Sequence, residues 1–271
     1  MKQWKPLLLG GALLLLAACG GGKNGEVSGQ VTALGSTSME RVMGVLAEQF
    51  RADHRGMSVS VEGGGSSAGI EAVSNGTADL GLSSRELTAE EAEGLTATVL
   101  ALDGIAVVVN EASGITGLTL EELGKLFRGE IASWAEIDGR DGPVACIGRE
   151  SGSGTRDGFE SATGTEGQCV LAQELTSTGA VLEAVRGNPN AIGYASLASV
   201  EGQEGVRMLS IDGVVCTEET VRDGSYPIQR PFLLVTRSDE PLGDAARTFF
   251  DWATSAGSAG LIRLAGAVPP A

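Results

Sequence analysis

Four turns rich in glycine, serine and threonine constrain this chain more than any other feature. Each turn follows a short apolar segment typical of a β-strand, and each precedes a segment with helical character. The turns occupy residues 35–38, 65–69, 83–85 and 149–156. Helix starts carry unpaired N–H groups and a partial positive charge, and serine and threonine hydroxyls add further donors. Several such turns meeting at one point would replace the hydration shell of a small anion.

The alternation of strands and helices predicts an α/β protein with a mostly parallel sheet. Directly before the four turns, strands are expected over residues 30–34, 57–61, 78–82 and 144–147. Apolar residues at helical spacing predict a helix over residues 39–55, with Ser38 as its N-cap. Residues 88–91 have the form of a capping box, and Thr119 is expected to cap a later helix.

The N-terminal segment is typical of an exported lipoprotein. Two lysines precede the apolar residues 7–18, and a lipobox-like sequence ends at Cys19. This apolar segment is too short to span a bilayer, which needs about 20 apolar residues. We therefore predict a signal peptide over residues 1–18 and a small, polar tether over residues 19–26. By resemblance to bacterial lipoproteins, Cys19 would carry the lipid that anchors the protein to the cell membrane, on its extracytoplasmic side.

The charge of the chain limits its partners. The full sequence carries 19 basic and 35 acidic residues, and its formal charge is −16. Loss of the signal peptide leaves 17 basic residues and a charge of −18. Nucleic acids and anionic membrane surfaces both need a basic footprint, so neither is an expected partner. The 253 remaining residues exceed one ordinary core, which predicts two domains.

Three other kinds of site fit the sequence poorly. Residues 65–69 match the G-x-S-x-G elbow of serine hydrolases, but the chain's one histidine, His54, lies upstream of that elbow. Residues 153–155 lack the lysine and the glycine frame of a Walker A loop. One histidine and scattered cysteines do not make a convincing transition-metal site, and no cofactor is expected. A lipid-anchored serine hydrolase stays open as an alternative from another functional class.

Three cysteines remain after the anchor cysteine: Cys146, Cys169 and Cys216. Export would permit one disulfide among them. Their spacing does not identify the partners, and buried free thiols are the alternative.

Five short motifs carry a resemblance to a known family: residues 35–38, residues 65–67, residues 78–84, Arg149 with residues 153–155, and residues 189–194. Together they resemble the phosphate-binding proteins that serve bacterial ABC phosphate importers, the PstS type. The resemblance covers most of the chain after the tether. It implies a type II periplasmic-binding-protein fold, in which two α/β lobes enclose a ligand cleft. The lobes would be residues 27–107 plus 230–271 for lobe I, and 108–229 for lobe II.

The resemblance also implies a ligand and its contacts. The chain would not be an enzyme but a monomeric binding protein that delivers inorganic phosphate to an ABC permease and ATPase complex in the membrane. From lobe I, the anion would be bound by Thr37, Ser38, Ser66 and Ser84. From lobe II, it would be bound by Arg149, Ser153, Gly154 and Thr155. A guanidinium fork, hydroxyls and backbone N–H groups together suit the many lone pairs of an oxyanion.

One position departs from the family pattern. Much of the family has an aspartate where Ser84 lies, and that carboxylate accepts the proton of hydrogen phosphate while it repels sulfate. Selectivity in this chain would rest on another acceptor, such as Asp103, Glu150 or Asp157, or on the hydroxyls alone. Sulfate, molybdate and tungstate therefore stay open as alternative ligands, and a signalling sensor without a transport role stays open as an alternative function.

Overall fold

The computed structural model describes residues 28–137 and 141–270. The predicted signal peptide, the Cys19 anchor and the tether lie outside these residues. Among the helices of the described ranges, none is long and apolar enough to cross a membrane.

The secondary structure alternates between strands and helices along most of the described chain. The strands are β1 (Gly29–Gly35), β2 (Met57–Gly63), β3 (Leu80–Ser83), β4 (Leu95–Asn110), β5 (Gly117–Leu118), β6 (Ala145–Arg149), β7 (Gln173–Leu175), β8 (Ala191–Ser196), β9 (Val206–Met208), β10 (Ser210–Ile211) and β11 (Gln229–Arg237). The α-helices are α1 (Glu40–Asp53), α2 (Ser66–Ser74), α3 (Leu120–Phe127), α4 (Gly154–Thr163), α5 (Thr178–Gly187), α6 (Leu197–Val200), α7 (Glu218–Arg222), α8 (Asp244–Ala253) and α9 (Ala259–Leu264). Short 3-10 turns are formed by Thr37–Met39, Glu111–Ser113, Trp134–Glu136 and Ala256–Ser258.

One mixed sheet connects most of the strands, in the order β2-β1-β3-β11-β4-β8-β6-β7, with β9 paired to β4. At one end β1 pairs in parallel with β2 and β3, and at the other β6 pairs in parallel with β7 and β8. Between these ends, β11 and β4 run antiparallel to each other and to their outer neighbours. The predicted parallel pairing is therefore correct for both ends of the sheet, but the prediction missed its antiparallel centre.

Strand β4 belongs to both ends of the molecule. Its first part pairs with β11, and its last residues pair with β8 and β9. The buried apolar side chains form separate clusters, one around Phe50 and Phe249 and another around Phe127 and Tyr194. Burial of apolar surface is the main favourable term in folding, so each cluster supports its own part of the chain. We call the part that contains β1–β3 lobe I and the part that contains β6–β8 lobe II.

The start of α1 differs from the prediction. The Thr37–Met39 segment forms a 3-10 turn, and α1 begins at Glu40. Ser38 is therefore not the N-cap of this helix. Its hydroxyl instead lies 2.8 Å from the Thr155 hydroxyl of lobe II. The residue that fits a local capping rule contributes to a contact between lobes.

The two capping-box sequences behave differently. Thr119 caps α3 as predicted, with reciprocal bonds to Glu122. Thr88 and Glu91 make the same pair of bonds, but on a turn and not on a helix. There the Glu91 carboxylate also accepts hydrogen bonds from both terminal nitrogens of Arg85, each at 2.7 Å. A capping box thus fixes this turn beside the third glycine-serine loop.

The three cysteines of the described chain are free thiols. Cys146 and Cys216 are buried, and Cys169 is half-buried. Burial raises the pKa of the Cys146 thiol to about 12 and also raises the pKa values of Cys169 and Cys216. Of the two alternatives that the sequence left open, the structure has the unpaired thiols.

We expect Cys169 to react first with N-ethylmaleimide in the native protein, because Cys146 and Cys216 are only 4% and 1% exposed. Reactivity needs an accessible thiolate, and burial suppresses both access and ionisation. Timed labelling followed by peptide mass spectrometry would measure the three rates, with guanidinium-unfolded protein as the control in which all three label. Equal native rates for Cys146 and Cys169, or a disulfide-linked peptide pair, would contradict this assignment.

Candidate anion-binding site

The four turns meet in one buried cluster of hydroxyl groups between the lobes. The turns after β1, β2 and β3 bring together three serines of lobe I. The Ser84 Oγ lies 2.8 Å from the Ser36 Oγ and 3.2 Å from the Ser66 Oγ. The turn after β6 approaches from lobe II and places the Thr155 Oγ1 2.8 Å from the Ser38 Oγ. These side chains are all buried.

The predicted site residues are all buried at this junction of the lobes. They are Thr37, Ser38, Ser66, Ser84, Arg149, Ser153, Gly154 and Thr155. Ser153 has a second task, because its hydroxyl accepts the Arg156 N–H and so caps α4. The structure therefore brings together residues that are far apart in the sequence.

Gly154 allows the two lobes to touch. A Cβ added at this position would lie 2.5 Å from the Ser66 Oγ and 2.7 Å from the Ser84 Oγ, closer than real Cβ contacts. Beside it, the Ser67 N–H donates across the cleft to the Gly152 carbonyl at 3.1 Å. Glycine is needed here because backbone from one lobe packs directly on side chains of the other.

We expect Gly154→Ala to weaken anion binding by at least about fivefold, because overpacking by one methyl costs about 1–3 kcal/mol and would hold the lobes apart. Isothermal titration with phosphate would measure this loss. The matched control is Gly179→Ala on α5, where an added Cβ meets nothing within 4 Å. Unchanged affinity in a folded Gly154→Ala protein would show that the lobe contact is not needed for binding.

Arg149 is the buried cation of lobe II. Its side chain is 2% exposed, and its Nε and Nη2 hold the Glu150 carboxylate at 2.9 and 2.7 Å. The remaining nitrogen, Nη1, donates to the Thr178 Oγ1 at 3.2 Å. That oxygen also lies 3.2 Å from the Ser38 Oγ. One edge of the guanidinium is therefore occupied by Glu150, and the other faces the hydroxyl cluster.

An aromatic stack fixes the backbone at Arg149. The Tyr194 hydroxyl accepts the Arg149 N–H at 3.1 Å. The Tyr194 ring stacks on Phe159 with a centroid distance of 4.1 Å, and Phe127 packs against both rings. Burial raises the pKa of Tyr194, so its hydroxyl stays neutral at physiological pH. Packed aromatic side chains therefore hold the Arg149 backbone in place, as a preorganised site requires.

Sequence reasoning missed Thr178. Its N–H donates to the Thr37 Oγ1 at 3.2 Å, and its hydroxyl contacts Thr37, Ser38 and Arg149. Thr178 is the first residue of α5, which follows the short strand β7. A fifth strand-turn-helix unit was therefore present in the sequence, but residues 173–175 are too short and polar to be recognised as a strand.

Arg230 was also missed, together with its place beside Ser84. It lies at the start of β11 and is 5% exposed. Its Nη1 donates to the Ser84 Oγ at 3.1 Å, and its Nε and Nη2 donate to Asp103 Oδ2 at 3.1 and 2.9 Å. Burial raises the pKa of Asp103, which Arg230 opposes, and burial lowers the pKa of Arg230, which Asp103 opposes. The sequence signal that could have found them was one charged residue within each of two apolar strands, Asp103 in β4 and Arg230 in β11.

The three acids considered as proton acceptors each bind an arginine. The pairs are Asp103–Arg230 at 2.9 Å, Glu150–Arg149 at 2.7 Å and Asp157–Arg85 at 2.9 Å. Asp103 also accepts the Ser196 hydroxyl at 2.7 Å. In each pair the arginine occupies carboxylate oxygen atoms, so these acceptors are already in use within the protein.

The hydrolase alternative gains no support from the geometry. The Ser67 hydroxyl accepts a hydrogen bond from the Arg85 Nη2 at 3.0 Å. His54 stacks on Phe50 at the end of α1, with ring centroids 4.2 Å apart. A nucleophilic serine needs a base within hydrogen-bond reach, and this serine contacts a cation instead.

Comparison with known proteins identifies the family. The model of the PBP superfamily domain matches residues 23–256. The phosphate-binding protein PstS of Bacillus subtilis is 32% identical over 247 residues, which cover 82% of this chain and 79% of the relative. The chain is a PstS-like member of the PBP superfamily. The resemblance seen in its turns is thereby confirmed.

Two solved structures resemble this PstS-like chain in fold. A Clostridium perfringens protein crystallised with bound phosphate, described as a phosphate ABC transporter substrate-binding protein, has a TM-score of 0.85 and 34% identity. The match covers 90% of this chain and 100% of that one. An ABC-type phosphate transport receptor from Vibrio cholerae has a TM-score of 0.72 and 34% identity, with 89% and 100% covered. The predicted two-lobe periplasmic-binding-protein fold is confirmed.

Proposed function

We propose that this protein captures inorganic phosphate and delivers it to an ABC importer. The observation that carries the proposal is the buried hydroxyl cluster between the lobes, with the Arg149 guanidinium at its edge. Relatives named for phosphate binding, and a related structure with phosphate bound, support the same ligand. On this view the protein is a binding protein and not an enzyme.

The cluster has the donors that a tetrahedral oxyanion needs. Three helices begin there, at Ser66, Gly154 and Thr178, so their positive dipole ends meet. The hydroxyls of the predicted set add donors from both lobes, and Arg149 adds a charge-assisted donor. We assign the phosphate contacts to the eight predicted residues: Thr37, Ser38, Ser66, Ser84, Arg149, Ser153, Gly154 and Thr155.

Binding is coupled to closure of the lobes. Lobe I would comprise residues 27–107 plus 230–271, and lobe II residues 108–229, with β4 and β11 as the connecting strands. An anion that accepts hydrogen bonds from both lobes binds the closed form more tightly than the open one. It therefore shifts the equilibrium toward closure.

We expect Arg149→Ala to weaken phosphate binding by at least about 30-fold, because loss of a charged hydrogen-bond partner in a buried site costs about 2–5 kcal/mol. Isothermal titration would measure it. The control is Arg186→Ala, which removes a more exposed arginine of lobe II that pairs with Glu183. Because the single variant leaves Glu150 unpaired, Arg149→Gln with Glu150→Gln tests the same point in a neutral background. Wild-type affinity in both proteins would contradict the proposal.

The N-terminal segment would place the protein at the membrane. We propose that residues 1–18 are removed on export, and that lipid on Cys19 anchors a monomer on the extracytoplasmic side. Cys19→Ala should abolish incorporation of labelled palmitate and release the protein from the membrane fraction, because lipid burial supplies the anchoring energy. Membrane-bound, unlabelled protein in both wild type and variant would contradict a lipid anchor.

A further inference from the structure

Arg85 lies at the edge of the hydroxyl cluster and contacts both lobes. It follows Ser84 directly in the third turn, and its side chain is 13% exposed. Within lobe I, its Nη1 and Nη2 donate to the Glu91 carboxylate, and the Nη2 also donates to the Ser67 Oγ at 3.0 Å. Its Nε lies 2.9 Å from the Oδ2 of Asp157, on α4 of lobe II. The guanidinium therefore bridges the cleft beside the candidate anion site.

The two sides of this bridge differ in strength. On the lobe I side, two N–H groups of Arg85 meet two oxygens of Glu91, each at 2.7 Å, and such a charged fork is a strong contact. It lowers the pKa of Glu91 to about 2, so Glu91 stays charged at physiological pH. Toward Asp157 the distance is short, but within the described ranges the buried Nε–H is aligned with no acceptor. Misalignment weakens a contact, so the lobe II side is the one that can break.

The contact between Arg85 and Asp157 depends on the lobes lying together. Neither residue belongs to β4 or β11, the strands that connect the lobes. Asp157 lies in the first turn of α4, and its side chain is 45% exposed. Burial raises the pKa of Asp157, which the charge of Arg85 opposes, so this carboxylate is partly withdrawn from water. Opening of the cleft would pull the two charges apart and let water reach both.

Arg85 also supports a second contact across the cleft. The serine that its Nη2 holds, Ser67, donates its backbone N–H to the Gly152 carbonyl of lobe II at 3.1 Å. A Cβ added at Gly152 would lie 3.3 Å from the Cβ and the Oγ of Ser67, so the two segments pack closely. One guanidinium therefore organises both a charge contact and a backbone contact between the lobes.

Resting on the proposed phosphate function, we propose that Arg85 and Asp157 form a latch that keeps the lobes closed over the bound anion. Arg85 is a positioning residue, because Glu91 and Ser67 hold it on lobe I with its Nε edge toward Asp157. The latch must break before the anion leaves, whereas entry into the open cleft does not involve it. It therefore lengthens the residence time of the anion without contacting it.

The first test is a double-mutant cycle on the rate of phosphate release. A rapid-mixing chase of bound radiolabelled phosphate by unlabelled phosphate gives this rate for wild type, Arg85→Gln, Asp157→Asn and the double variant. Asp157→Asn also removes a negative charge near the anion, but that effect is common to both backgrounds and cancels in the cycle. We expect Asp157→Asn to raise the release rate about two- to fivefold more in wild type than in Arg85→Gln, as suits a partly exposed ion pair.

The matched control is the cycle of Arg237→Gln with Glu240→Gln, an ion pair within lobe I. It should show no coupling in the release rate, and thermal unfolding without ligand checks that every variant is folded. Equal effects of Asp157→Asn in the two backgrounds, or coupling of the same size in the control cycle, would overturn the latch. Coupling in the association rate in place of the release rate would overturn it too. Absence of phosphate binding by the wild type would instead overturn the proposed function.

The second test follows opening of the cleft by amide hydrogen exchange in phosphate-saturated protein. The Ser67 N–H is bonded to lobe II, so its exchange reports separation of the lobes. The reference is the Asp79 N–H, which donates to the Thr32 carbonyl within lobe I at 3.0 Å. In Asp157→Asn, we expect exchange at Ser67 to be about two- to fivefold faster and exchange at Asp79 to be unchanged. Unchanged exchange at Ser67, or equal acceleration at both amides, would contradict a latch between the lobes.

Discussion

The ion pair between Asp103 and Arg230 is the interaction on which the geometry of the cleft depends. It lies on β4 and β11, where the chain passes from one lobe to the other, and both partners are buried. Buried charges are costly unless each is fully paired. Here the Ser196 hydroxyl donates to the second Asp103 oxygen, and the Arg230 Nη1 donates to the Ser84 hydroxyl. The pair therefore links the end of a lobe II strand to the hydroxyl cluster.

The rest of the site is built outward from this junction by short local units. The units after β1, β2, β6 and β7 are a strand, a tight turn and the first turn of a helix, whereas the turn after β3 leads into no helix. Each unit delivers one or two hydroxyls. In lobe II, the aromatic stack of Tyr194 and Phe159 fixes the backbone at Arg149 through the Tyr194 hydroxyl. Loops that carry functional groups gain precision when rigid elements flank them. The cleft combines hydroxyls that can rotate with two arginines, Arg149 and Arg230, that are each held by a carboxylate.

The sequence predicted what is local and missed what is set by pairing between distant segments. The four turns and their strands were recognised, because apolar periodicity and turn residues are properties of neighbouring positions. Arg230 and Asp103 are 127 positions apart, and only the antiparallel β4–β11 register brings them together. Ser38 satisfied the rule for an N-cap but serves an inter-lobe contact, because tertiary interactions override local propensity. The capping box at Thr88 formed its bonds without a helix for the same reason, since Arg85 holds Glu91.

The pairing of Arg149 with Glu150 has a consequence for release. Since each buried guanidinium already has its own carboxylate, an empty cleft is electrically balanced and strands no bare cation inside the protein. A bound anion would then be the species that loses most from being kept out of water. If the lobes separate as proposed, rehydration of the anion would favour its release, and no counterion would have to enter the empty cleft.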